Sequence, residues 1–172
     1  MCALQFDFIA STDLPNITSL ELFETYGCLS LTYVLGGTTY ELEFPEESFL
    51  SEDFASFETP ITTWIKNNLS KMTSLERFEY VSRFSSEMDF SFLVNKPKAL
   101  TQLGISHLQG LDMDFLHGVE HLALNAVFIE EDDGFLDLLK KLPATLKTVK
   151  VNDIDDSMKE LTSKTSFQLG II

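Results

Sequence analysis

The stretch Leu75-Glu76-Arg77-Phe78-Glu79-Tyr80 decides how this chain is read, because its apolar spacing, L-x-x-L-x-L in generic form, returns along the sequence. It recurs as Leu100/Leu103/Ile105, Val119/Leu122/Leu124 and Leu146/Val149/Val151, and once upstream as Ile17/Leu20/Leu22. The last two apolar positions of each copy stand two apart, the alternation of a strand with one buried face. From 75 to 100, 100 to 119 and 119 to 146 the intervals are 25, 19 and 27 residues. The segments between copies, Ser82 to Lys98, Ser106 to Gly118 and Asn125 to Thr145, must therefore return the chain to the same sheet edge. In the last of them Phe135, Leu136, Leu138, Leu139 and Leu142 follow a short helical pattern closed by Pro143. Leu93-Val94, ahead of Pro97, does the same job earlier.

Upstream, Leu4, Phe6 and Phe8 alternate with polar residues and read as a short strand, broken at Asp13-Leu14-Pro15-Asn16. The segment Leu29 to Phe44 is a β-hairpin around Gly36-Gly37, since two adjacent glycines supply the positive φ values of a type I′ turn. Counting outward pairs Tyr33 with Tyr40, Leu31 with Leu42 and Leu29 with Phe44, all large apolar residues on one face. Ser30, Thr32, Thr39, Glu41 and Glu43 then belong to the water face. From Pro45 to Glu58 the chain is acidic and aromatic, and Phe49, Leu50, Phe54 and Phe57 have the spacing of a short helix or turn. Thr59-Pro60 signals a helix start, with an apolar stripe of Ile61, Trp64, Ile65, Leu69 and Met72 and with Lys66, Asn67 and Lys71 facing away.

A chain of 172 residues has room for one domain with a sizeable core, so residues 1–172 are read as a single domain. Within it, residues 1–58 hold the strands, the hairpin and the acidic segment, and residues 59–172 hold the helix and the repeats. Twelve Lys and Arg against 27 Asp and Glu give a formal net charge of -15. That field repels phosphate backbones and anionic lipid headgroups, which argues against nucleic acid and membrane surfaces and steers basic protein surfaces inward. The two cysteines, Cys2 and Cys28, form no disulfide framework or tetrahedral metal pattern. No secretory leader and no bilayer-spanning run are seen, and a cytoplasmic or nuclear location is expected.

On these repeats, from Met72 to about Ile154, the chain resembles an irregular intracellular leucine-rich-repeat protein. A further copy at Ile17 and a degenerate unit near Phe167/Leu169 extend the likeness. The resemblance implies an α/β fold: stacked parallel strands with short helices outside, closed at the N-terminal end by the antiparallel hairpin as a cap. The alternative is a single α+β domain whose strands share the L-x-x-L beginning. The chain departs from the family pattern where an Asn or Cys usually follows the third apolar position by three residues. Arg83, Leu108, Val127 and Ile154 stand there, which implies an irregular stack rather than a regular horseshoe.

The residues alternating with the buried ones form the open face of such a sheet. Arg77, Glu79 and Val81, then Gln102, Gly104, Ser106 and His107, then His121, Ala123 and Asn125, then Thr148, Lys150 and Asn152 are assigned to it. Of these, Arg77, Glu79, Gln102, His107, His121, Asn125, Lys150 and Asn152 are the candidate partner-binding residues. The expected function is a protein-interaction module or adaptor that engages its partner on this face or on the acidic segment from Glu41 to Glu58, with no catalysis and no cofactor. No F-box-like segment accompanies the repeats.

Two other readings remain open. His107, His117 and His121, with Asp112 and Asp114 nearby, could serve a small metal-dependent hydrolase, although Gly118 argues against the helix that would bring His117 and His121 together. The apolar end Leu169-Gly170-Ile171-Ile172 suits a structural subunit of an obligate complex. The acidic run Glu130 to Asp133 before Gly134 lacks the alternating carboxylates of a calcium loop and reads as solvated. No Walker loop, G-x-S-x-G, G-x-G-x-x-G, H-E-x-x-H or C-x-x-C occurs.

Overall fold

The structure, a computed structural model, describes residues 9–25, 28–45, 60–82, 90–106, 113–124, 139–151 and 167–171. The expected strand at Leu4 to Phe8, the Pro45–Glu58 helix or turn beyond Pro45 itself, the cap at Thr59, the acidic run before Gly134 and most of the helical pattern from Phe135 lie outside these residues.

The described strands form one sheet. They are β1 (Ile17–Thr25), β2 (Cys28–Leu35), β3 (Thr38–Pro45), β4 (Arg77–Ser82), β5 (Gln102–Ile105), β6 (His121–Leu124), β7 (Thr148–Val151) and β8 (Gln168–Ile171). Their order across the sheet is β3-β2-β1-β4-β5-β6-β7-β8. The first three are antiparallel, and every junction from β1–β4 onward is parallel. The chain is thus an α/β fold with a partly parallel sheet of eight strands and little helix.

The hairpin has the register that its glycines dictate. Leu35 faces Thr38, Tyr33 faces Tyr40, Leu31 faces Leu42 and Leu29 faces Phe44. Gly36 and Gly37 take φ of 58° and 81°, left-handed values that residues with a Cβ resist. Tyr33 and Tyr40 stack with ring centroids 4.9 Å apart. Leu29 and Leu31 are fully buried while Thr39, Glu41 and Glu43 are exposed, so one face meets the core and the other water.

The apolar repeat positions fix the parallel part in the same way. Leu20, Phe78, Leu103, Leu122 and Val149 fall in one lateral row, and Leu22, Tyr80, Ile105, Leu124 and Val151 in the next. All fifteen apolar positions of the five copies are at most 2 % exposed. Because a one-residue slip would turn the ten positions of these two rows outward, and burial of each is worth about 1.5–3 kcal/mol, no other register competes. The degenerate last copy takes its place as β8, with Leu169 beside Val149 and Phe167 buried.

The same turn leads into five of the parallel strands. The N–H of Leu75, Leu100, Val119 and Leu146 donates to the carbonyl three residues earlier, at Met72, Pro97, Leu116 and Pro143, and Ile17 does so to Leu14. One position later the turns are stitched sideways. The Glu76 carbonyl accepts from the N–H groups of both Thr101 and Gln102, that of Thr101 from Glu120 and His121, and that of Glu120 from Lys147 and Thr148. Each carbonyl uses both lone pairs, so the turn backbones are satisfied by their neighbours.

The inner face of the sheet is covered by short elements. The helix α1 (Pro60–Asn68) and the one-turn 3-10 helix after it bury Ile65, Leu69 and Met72, and Trp64 packs partly against the core. Proline occupies the first helical position, where its missing N–H costs nothing. The 3-10 segment Ser91–Asn95 buries Phe92 and Leu93, the segment Met113–Leu116 buries Phe115 and Leu116, and Leu139 and Leu142 are buried in the connection from β6 to β7. Phe92 meets Phe78 edge-on at 6.4 Å, and Phe90 meets Tyr80 likewise at 6.4 Å. Among the described residues, the expected outer helices ahead of β5 and β6 are therefore single 3-10 turns. No described helix is long and apolar enough to cross a membrane.

Candidate functional site

With the inner face filled, the alternate side chains of β1 and β4–β8 form two rows on the opposite face. The first row is Ser19, Arg77, Gln102, His121, Thr148 and Gln168, and the second is Glu21, Glu79, Gly104, Ala123, Lys150 and Gly170. Both follow from a period of two running through strands held in register.

The second row has a low centre. Gly104 and Ala123 carry little or no side chain, so an open cavity of about 290 Å³ sits over them. Arg77, Glu79, Gln102, His121, Thr148 and Lys150 stand around it, and Leu103 and Leu122, whose side chains are buried inward, line its floor from the strands themselves.

On the β1–β4 side an ion cluster forms the wall. Arg77 Nη2 lies 2.9 Å from Glu79 Oε2, and Arg77 Nε lies 3.3 Å from Glu21 Oε1. The hydrogen bond to Glu79 leads in raising the Arg77 pKa, with the charges of Glu21 and Glu79 adding to it against partial burial. The guanidinium is therefore permanently charged. The Glu79 stem crosses directly over Gly104: a Cβ on that glycine would stand 2.7 Å from Glu79 Cγ. Glycine is thus required on β5 for Glu79 to lie down beside Arg77.

The β6–β7 side is built differently. His121 Nδ1 and Thr148 Oγ1 are 2.8 Å apart, and His121 Nε2 lies 4.0 Å from Glu120 Oε2. Glu120 in turn receives Lys147 Nζ at 2.7 Å, and that hydrogen bond chiefly holds its carboxyl below the ordinary glutamate range. Lys150 is exposed, and its ammonium makes no hydrogen bond or ion pair within the described residues.

Five of the eight candidate partner-binding residues, Arg77, Glu79, Gln102, His121 and Lys150, therefore meet around one cavity. His107, Asn125 and Asn152 lie outside the described residues. Ser106 corrects the alternation argument. It is only 5 % exposed, because β5 ends at Ile105 and the chain bends there, and its hydroxyl donates to the Tyr80 carbonyl at 3.5 Å. Glu21 belongs to the wall although the repeat argument did not nominate it. Its signal was available, since it occupies in the Ile17/Leu20/Leu22 copy the place that Glu79 occupies in the next.

The arrangement suits recognition through charge and shape. His117 sits in the turn after Met113–Leu116, ahead of Gly118 with φ of 84°, while His121 lies in β6, so the two do not share a helix. No group of three or more His, Cys, Asp or Glu that could hold a metal occurs among the described residues. One acidic side chain, Glu24, is buried on the core side, where it accepts from the Tyr80 hydroxyl at 3.4 Å.

No family model, curated protein or solved structure matches this chain.

Proposed function

We propose that this chain is a non-enzymatic interaction module of the irregular leucine-rich-repeat kind, an adaptor that binds a protein partner on the open face of its parallel strands. One observation supports the reading: eight of the residues assigned to that face by alternation, Arg77, Glu79, Gln102, Gly104, His121, Ala123, Thr148 and Lys150, line one cavity, with a charged wall at one side and the Lys150 ammonium at the other. The repeat reading rests on the shared strand register and on the identical turn ahead of five strands. Solenoid faces of this type meet extended or convex proteins. The acid excess favours a partner with basic character.

The test is capture from extract of the producing cells, using the whole chain as bait, beside the variants Gln102→Arg and Lys150→Glu. Both positions are exposed, so the melting temperature should stay within about 2 °C of the parent. Loss of the same partner with both variants is the expected result. Undiminished capture by both would mean that the partner, if any, sits elsewhere.

A further inference from the structure

The open face is electrically divided. Among the described residues, Glu41 and Glu43 on β3, Glu21 on β1 and Glu79 on β4 share it with one cation, Arg77. Among the described residues of β5–β8 the one outward formal charge is Lys150 on β7, with the uncharged Gly104 and Ala123 between, while Glu120 and Lys147 ahead of β6 and β7 neutralise each other as a pair. A uniformly basic partner would meet attraction on one half and repulsion at Lys150. A uniformly acidic one would meet the reverse.

The spacing completes the argument. Glu79 and Lys150 stand in one lateral row, separated by three strand-to-strand steps, which at about 4.8 Å each is roughly 14 Å. In an extended chain, side chains four residues apart point to one side and lie about 13 Å from each other at 3.3 Å per residue. The residue midway between them points the same way and would come down over Ala123, beside the Glu79 stem that covers Gly104, where the cavity leaves space.

Building on the interaction reading above, we infer that the partner presents an extended segment laid across the strands, with a basic side chain and an acidic side chain four residues apart and a small apolar residue midway. The basic group lies against the Glu21–Arg77–Glu79 wall, where two carboxylates meet one guanidinium among the described residues. The acidic group pairs with Lys150.

The experiment uses the whole chain and capped nine-residue peptides of threonine and serine with a central valine, read by fluorescence anisotropy. One carries Lys and Glu four apart, one carries Lys at both places, one carries Glu at both, and one carries Lys and Glu only two apart. The Lys/Glu peptide with the longer spacing should bind about fivefold to tenfold tighter than the other three. Lys150→Glu should transfer the preference to the Lys/Lys peptide. Equal binding of all four, binding of none at millimolar concentration, or an unchanged order in Lys150→Glu overturns the inference. Partner capture judges the underlying reading separately. If Gln102→Arg abolishes capture while the peptides are not discriminated, the face binds protein but not in this manner. If capture survives both face variants, the partner sits elsewhere and the reading of this face as the binding surface fails.

Discussion

Gly104 holds its place because Glu79 lies across it. Gly104→Ala puts a methyl 2.7 Å from Glu79 Cγ, too near the start of that side chain for its far end to absorb the shift. Glu79 must lift away from Arg77, and a loss of about 1–3 kcal/mol in urea unfolding is expected. Glu79→Ala in the same chain should recover part of it, and an unchanged midpoint for Gly104→Ala would show that Glu79 is not held there. Glu120 makes a pH-dependent prediction. Its folded pKa is depressed by Lys147, so the pair stabilises above the unfolded glutamate value and ceases to do so as pH falls through the folded one. Lys147→Met should lower the melting temperature at neutral pH and leave it unchanged in strong acid, and the Glu120 carboxyl midpoint followed by NMR should rise. At this scale the alternation argument located Arg77, Glu79, Gln102, His121 and Lys150 correctly and misplaced Ser106. Alternation holds only while the strand continues, and no residue near Ile105 marks the bend.

Among the elements, the hairpin was the most legible, since Gly36-Gly37 sets the turn and the turn sets the register. Gly37→Val forces a β-branched residue to φ near 81° and should cost about 1–2 kcal/mol or more, whereas Gly36→Asn, at φ near 58°, should cost less than about 0.5 kcal/mol. Equal losses in thermal unfolding would contradict the turn type. The helix α1 was legible for a similar reason, with a proline to start it and a stripe to bury. The connections were not. A 3-10 turn of three to five residues is shorter than the period that reveals a helix, so Ser91–Asn95 and Met113–Leu116 left little pattern. What the sequence did contain was a further position in the repeat, three residues before the first apolar one: Leu14, Met72, Pro97, Leu116 and Pro143. It became visible only through the shared turn hydrogen bonds.

For the molecule as a whole, the net charge of -15 opposes the compact state by self-repulsion. Raising NaCl from 0.01 M to 1 M shortens the Debye length from about 30 Å to about 3 Å, so the melting temperature should rise by several degrees. A fall would mean that the Arg77 and Lys147 ion pairs outweigh the repulsion. The sequence by itself determined which residues go inside, because burial of apolar positions with a period of two leaves each strand one stable orientation. It also determined the hairpin register, since two glycines at positive φ are a local constraint. Only the tertiary structure decided the lateral order of the strands and hence which outward residues become neighbours. Glu21 reaches Arg77 from a segment 56 positions earlier because β4 pairs with β1 and not with β3, the strand that precedes it in sequence. A cavity floored by Gly104 and Ala123 likewise arises from strand pairing, which depends on contacts between distant segments that no short stretch encodes. Of Leu75-Glu76-Arg77-Phe78-Glu79-Tyr80, the apolar members were fixed by their own spacing, and the meaning of Arg77 and Glu79 came from what the sheet set beside them.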